Sequence, residues 1–417
     1  MRKLFFYGRF FLCIFACMAL LQSCLKDSAS KTYTMFTPVY KDVAEVRAAI
    51  KNDAPVPVVK PGKIFVQGNY IFLNEIDKGI HVIDNTNPAA PINKYFIAIP
   101  GNLDLAVKGN TLYADLYRDL VTIDISDPSA VKVKKITEKV FSERQYATWY
   151  ARDTTKVVVD WIKKDTTMSL DPETAWPGRR DILFMNDMQL SYSSSSARAK
   201  GISGSMARFT LLNNYLYTVT QSNLNTFNIS QPENPVFANS QSIGWNIETI
   251  FPFKGNLFIG SQTGMFIYGT ANPAQPSQLS QFMHITSCDP VIADDNYAYV
   301  TLRTGNTCNG VVNQLDILDI SNLSYPSAVK SYALTNPHGL SKSGNTLFIC
   351  DGEAGLKVYD ASHVKSLQHL QTVEGINAYD VIAQNDLVIV VAADGLYQYK
   401  NSNNTLVFRS RLSYKSF

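Results

Sequence analysis

From residue 68 onward the chain alternates short polar turns with short, aromatic-rich apolar runs of period two. The motif Gly68-Asn69-Tyr70-Ile71-Phe72 returns as Gly109-Asn110-Thr111-Leu112-Tyr113, Asn213-Asn214-Tyr215-Leu216-Tyr217, Gly255-Asn256-Leu257-Phe258, Asp295-Asn296-Tyr297-Ala298-Tyr299, Gly344-Asn345-Thr346-Leu347-Phe348 and Asn385-Asp386-Leu387-Val388-Ile389. A polar turn followed by alternating apolar positions reads as the start of a hairpin strand. Most copies are followed, about ten residues on, by a second alternating run such as Gly79-Ile80-His81-Val82-Ile83-Asp84 or Gly355-Leu356-Lys357-Val358-Tyr359-Asp360. A turn containing proline then closes several units, as at Asn87-Pro88, Asp127-Pro128, Gln231-Pro232 and Asn272-Pro273.

Seven units, most of them about 40 residues apart, each hold four short strands, which is the length of a propeller blade. The interval between the second and third markers holds one repeat plus an insertion of roughly sixty residues, placed at 136–204. The pattern therefore predicts an all-β chain: a seven-bladed β-propeller of four-stranded antiparallel blades over 61–417, with the inserted segment between blades two and three. A solenoid is the alternative, but ring closure removes the exposed edges that a solenoid leaves. Ahead of the ring, residues 24–60 read as a tether. Within it Tyr40 to Ile50, with Val43, Val46, Ala49 and Ile50 on one side, predicts a short amphipathic helix.

The strands Leu120-Val121-Thr122-Ile123-Asp124 and Leu315-Asp316-Ile317-Leu318-Asp319 resemble those of the LVIVD-repeat family of bacterial β-propeller proteins. The resemblance runs from about residue 60 to about residue 415, the insertion apart. It implies the propeller fold. That family has no agreed enzymatic activity, so the resemblance also implies surface location and binding more than catalysis.

Residues 1–23 carry Arg2 and Lys3, then an uncharged run from Phe10 to Leu21, then small and polar residues. The run fits the apolar region of a signal peptide and falls short of the roughly 20 residues a membrane-spanning helix needs. Leu21-Gln22-Ser23-Cys24 resembles the lipobox of bacterial lipoproteins, in which the cysteine is acylated. Leu25 is not the aspartate of an inner-membrane retention signal, and Lys26-Asp27 resembles the lysine-acidic tract of surface-exported lipoproteins. The expected location is the outer membrane, lipid-anchored and facing outward, with the membrane as a partner through the anchor.

The net charge of +3 becomes formal neutrality once Arg2, Lys3 and Arg9 leave with the leader. Nucleic-acid binders carry a basic surplus that displaces counterions, so no nucleic-acid partner is expected. Three cysteines remain beyond Cys24. Blade topology puts Cys288, at the start of an inner strand, and Cys308, in the following loop, on one rim, where a disulfide is expected. Cys350, after Phe348-Ile349, should be a buried free thiol.

In a propeller the inner strand of each blade begins at one face, and the loop between second and third strands returns there. The inner strands begin, in order, near Lys63, Asp104, Arg208, Glu248, Asp289, His338 and Asp380. One reading of this ring is a mixed-charge mouth that coordinates a polar ligand or cation. The other is a set of side chains that neutralise one another around a channel. The same-face loops carry Glu75, Asp77, Arg303, Asp351, Glu353 and Asp394. Asp351-Gly352-Glu353 looks like half a calcium loop without the ligand density of a whole one, so calcium is the single ion considered, no other cofactor is expected, and no metal ligands are assigned. No nucleophile elbow stands out; His338 is the one histidine at the rim and the candidate general base, with Asp289 or Asp380 as its partner. Tyr146, Trp149, Tyr150, Trp161 and Trp176 of the insertion suit sugar stacking. The expected function is that of a non-enzymatic, monomeric surface lipoprotein whose rim binds a protein or glycan. The alternative is an extracellular hydrolase or lyase acting on polysaccharide or peptide through His338 and the rim carboxylates.

Overall fold

The computed structural model describes residues 30–141, 155–169, 183–184, 206–283, 290–304 and 312–415. They fall into two compact units, Met1–Val39 with Trp161–Met188, and Tyr40–Asp160 with Gln189–Phe417. In the smaller unit the strand Ser30–Asp42 lies between Lys156–Ser169 and the short Leu183–Phe184. The larger unit contains seven antiparallel sheets in chain order, which are the seven predicted blades. The insertion leaves the ring after blade two and rejoins it at blade three, as the long marker interval requires.

The inner strands are Pro61–Gln67, Leu105–Lys108, Phe209–Leu212, Ile247–Phe253, Val291–Ala293, Leu340–Ser343 and Ala378–Gln384, and each packs beside the inner strand of the next blade. The second and third strands of blades one and two are almost wholly buried, because both faces of a blade are covered by its neighbours; the fourth strands, as in blades four and five, are half exposed. Blade one gains a fifth strand, Lys51–Asp53, outside its fourth. The tether helix is shorter than its pattern suggests, Val43–Ala48, and the preceding Ser30–Asp42, which carried no sequence expectation, is a strand. Arg47 pins the helix to blade two through Asp119 at 2.6 Å and Glu138 at 2.7 Å, while Val46 joins that blade's core.

The repeated residues have separate physical jobs. Each LVIVD-type aspartate closes its strand by accepting an amide two residues on: Thr86 to Asp84, Ser126 to Asp124, Ser321 to Asp319 and Ser362 to Asp360, at 2.8–3.0 Å. These hydroxyl and amide donors hold the carboxyls below their usual range, Asp84 and Asp124 at about 2. The turn that follows offers a carbonyl to the neighbouring blade. Tyr113 donates to Pro232, Tyr217 to Pro273, Ser280 to Leu323, Tyr332 to Val364 and Ser410 to Pro88, at 2.6–2.8 Å. Asn52 serves the junction of blades one and two, and Gln371 that of six and seven. The Ser410 bond also closes the ring, together with Asn85 paired to Gln398 and a core of Ile64, Ile71, Ile382 and Ile389. Among the described residues no strand is exchanged between the first and last blades.

Glycine starts several third strands for a steric reason. Gly79, Gly264 and Gly355 have φ of +146°, +159° and +85°, and an added Cβ would lie 2.0, 2.4 and 2.1 Å from carbonyl oxygens of the adjoining outer strand. Gly355→Ala should therefore lower stability by about 1–3 kcal/mol, measured as a fall in the denaturant midpoint at unchanged slope. A variant within about 0.5 kcal/mol of wild type, the scatter of inert surface changes, would show that this carbonyl does not crowd the site.

Candidate functional site

Of the inner-strand starts, Lys63, Asp104, Arg208, Glu248 and Asp380 lie close enough to act on one another's charge. Lys63 and Asp104 are only 1% and 2% exposed, with Lys63 Nζ 3.7 Å from Asp104 Oδ2 and donating to the Met206 carbonyl at 2.5 Å. Asp104 in turn accepts the backbone amides of Arg208 and Leu105, both at 2.7 Å. Burial raises the Asp104 pKa against the pull of Lys63, and burial lowers that of Lys63 against the pull of Asp104. Arg208, Asp380 and Asp115 also act on the Lys63 charge. Glu248 accepts Gln262 Nε2 at 2.9 Å; burial raises its pKa, while Arg303 and Arg208 favour its ionised form. Lys63, Asp104, Arg208 and Glu248 thus alternate in sign along four successive blades and act on one another's charge.

His338 is 5% exposed, and its ring meets Tyr379 edge-on with centroids 5.4 Å apart. Its backbone amide donates to Cys350 and its carbonyl accepts Thr301 Oγ1, both at 2.7 Å. The glycine beside it leaves room for the Asp380 carboxylate, whose Oδ1 would lie 2.1 Å from a Cβ on Gly339 and would have to shift. Asp380 is fully buried. Asp289, Cys24 and the Cys288–Cys308 pair lie outside the described residues. Cys350 is buried and free, with its thiol pKa pushed up by burial.

Several loop carboxylates cap the chain that leads into their own blade's inner strand. Asp115 accepts the amides of Leu103 and Asp104 at 2.8 Å, and Glu75 those of Val59 and Lys60 as well as His81. Asp351, the residue set beside calcium in the sequence, accepts Thr335 and Asn336 and pairs with Lys357 at 2.5 Å. Asp394 pairs with Arg411 at 2.6 Å.

The rim carries one feature that sequence reasoning missed. Trp245 lies in the connection from blade three to blade four and is 79% exposed. The turn holds it out between Gly244 at φ +136° and Asn246 at φ +53°. Its ends are fixed by Ile243 and Ile247, which donate to Ser222 and Gln221 of one neighbouring hairpin, and by Asn246, which accepts Gln262 of the other. Of the insertion aromatics, Trp161 is half-buried, while Tyr146, Trp149, Tyr150 and Trp176 lie outside the described residues.

Ring and blades define a seven-bladed β-propeller. Within that class the chain carries LVIVD repeats: the LVIVD repeat family matches residues 61–96, 102–138 and 287–334, which are blades one, two and five. No curated protein matches the chain. Among solved structures it is similar to the periplasmic gluconolactonase PpgL of Pseudomonas aeruginosa, at 10% identity and TM-score 0.51, covering 93% of this chain and 97% of that one. It is also similar to BamB of Moraxella catarrhalis, at 7% identity and TM-score 0.50 over 87% and 96%. The computationally designed Ika8 protein matches at 9% identity and TM-score 0.51 over 87% and 92%. At such identities the likeness is one of fold.

Proposed function

We propose that the chain is a non-enzymatic lipoprotein, anchored in the outer membrane through Cys24 and facing outward, whose propeller rim binds a glycan or protein partner. The observation that carries this reading is Trp245, an exposed indole on a turn braced at both ends. The turn is tied by its backbone to the hairpins that carry Gln221-Ser222-Asn223 and Gln262-Thr263, so amide and hydroxyl side chains stand on the elements that flank it. An aromatic face with planar hydrogen-bonding groups beside it suits a sugar, which offers C–H bonds to the ring and hydroxyls to the amides. A protein hot spot would more commonly sit within an apolar surround. The burial of Lys63, Asp104, His338 and Asp380 supports binding over acid–base catalysis, which needs groups within reach of substrate.

The test is a glycan array probed with the protein and with Trp245→Ala. Loss of an indole at the centre of a contact should weaken binding by at least about tenfold. Binding unchanged by the substitution would overturn the role of Trp245. Turnover of a polysaccharide or peptide that is abolished by His338→Ala would favour the hydrolase or lyase reading.

A further inference from the structure

At the opposite end of the channel from Trp245 and the charged ring lies a chamber of about 650 Å³. Most of its walls come from residues two to four positions further along the same inner strands, roughly 7–13 Å deeper at the rise of a β-strand, while Ala207 and Phe209 carry it up beside the ring residue Arg208. The volume falls in the range of small-molecule sites, about 300–1,000 Å³. Phe65, Leu211, Phe251, Pro252 and Ala383 give the wall an apolar character. Pro252 sits where the inner strand needs no ladder donor toward the channel.

Two lysines stand in this wall, and they differ. Lys342 is neutralised by Asp294 Oδ2 at 2.8 Å. Lys108 donates only to neutral oxygens, the Asn213 carbonyl at 3.1 Å and Asn214 Oδ1 at 2.9 Å. Among the described residues no carboxylate pairs with it. An ammonium has three N–H donors, so one remains. A half-enclosed cation without a counter-charge, at the edge of an apolar chamber, raises the local affinity for an anion.

We propose that this chamber is a binding site for a small organic monoanion with an apolar body, such as a hydrophobic carboxylate, whose charged group is held by Lys108. The single uncompensated ammonium sets the charge at one. The walls set the apolar body, and the volume limits the ligand to one or two ring systems. The site is separate from the rim and stands whether or not the rim binds a glycan.

The probe is 8-anilinonaphthalene-1-sulfonate, an aromatic monoanion, titrated into the purified protein by fluorescence and calorimetry beside its uncharged relative N-phenyl-1-naphthylamine. The expected result is one sulfonate probe per chain, displaced by a fatty carboxylate. Lys108→Gln should weaken the sulfonate by about tenfold or more and change the neutral probe by less than about twofold, because only the charged contact is lost. Ala383→Trp, which fills the chamber, should abolish binding of both at an unchanged melting temperature; Leu211→Trp serves the same purpose should the first variant not fold. Trp245→Ala should leave both probes unaffected. Absence of sulfonate binding, equal weakening of both probes by Lys108→Gln, or retained binding in a folded chamber-filled variant would each overturn the proposal.

Discussion

Lys63→Met should destabilise the propeller by about 3–5 kcal/mol near neutral pH, the cost of removing one partner from a buried ion pair. The methionine fills the space of the lysine stem, so the loss is electrostatic. Asp104, 2% exposed, keeps the Arg208 and Leu105 amides but loses its nearest cation, and the Met206 carbonyl loses its donor. The sign of the pH dependence follows. Burial already raises the Asp104 pKa, and without Lys63 it rises further. A carboxyl whose folded pKa exceeds its unfolded one costs stability above the unfolded value, and the cost shrinks as pH falls and the folded state takes up the proton. The deficit of Lys63→Met should therefore be largest at neutral and alkaline pH and narrow toward pH 5.

A second variant separates the electrostatic account from simple loss of packing. Lys63→Met with Asp104→Asn removes both charges, while the asparagine carbonyl still accepts one of the two amides. The double variant should recover most of the loss, giving a double-mutant coupling well above the roughly 0.5 kcal/mol of independent sites. Denaturant titration of the four proteins at pH 5, 7 and 8.5 is the measurement. A single variant as stable as wild type, or a double variant no better than the single, would show that the pair does not hold the ring together.

The blades were legible because each repeat carries its own local chemistry. A hairpin turn with positive φ at Gly68, Gly109, Gly255 or Gly344, a strand-closing aspartate such as Asp124, and a turn that exposes a carbonyl are all short-range devices. The positions of the ring residues were legible for the same reason, since a strand start is local. Their burial was not. Whether Lys63 faces water depends on Met206, Arg208 and Asp380, which are remote in sequence and come together only when the ring closes. The capping roles of Glu75 and Asp351, which the sequence placed only on same-face loops, were hidden for the same reason, because the amides they cap belong to preceding loops of irregular sequence. The chamber was invisible because Phe65, Leu211 and Phe251 look like ordinary core positions on alternating strands. Trp245 falls between two blades, in a turn whose glycine and asparagine gave no signal of what they present. The strand Ser30–Asp42 pairs with residues well over a hundred positions later, a separation that no local pattern reports.

The second large expectation concerns the anchor. Cys24→Ser should move the protein from the membrane fraction to the soluble one, or leave it with an uncleaved leader. Among the described residues no helix is long and apolar enough to cross a membrane, and the chain after the leader is formally neutral, so it lacks a basic surplus to hold it on anionic lipid. On the proposed reading, retention rests on acyl chains at Cys24. A chain of myristoyl length alone gives only a reversible association constant of about 10⁴ M⁻¹, whereas two or more chains give stable anchoring. Removing the thiol removes every chain at once, so cleaved protein should be lost from the membrane fraction almost completely, and any variant that stays there should run at the larger, uncleaved size. Fractionation of cells producing wild type and Cys24→Ser, with metabolic labelling by a fatty acid analogue, checks both halves of the claim. Label should follow wild type alone. Release by high salt as readily as by detergent would show that surface charge, and not lipid, holds the protein. Equal recovery of both proteins in the membrane fraction at the cleaved size would end the lipoprotein reading, while leaving the propeller, its buried ring and its chamber as described.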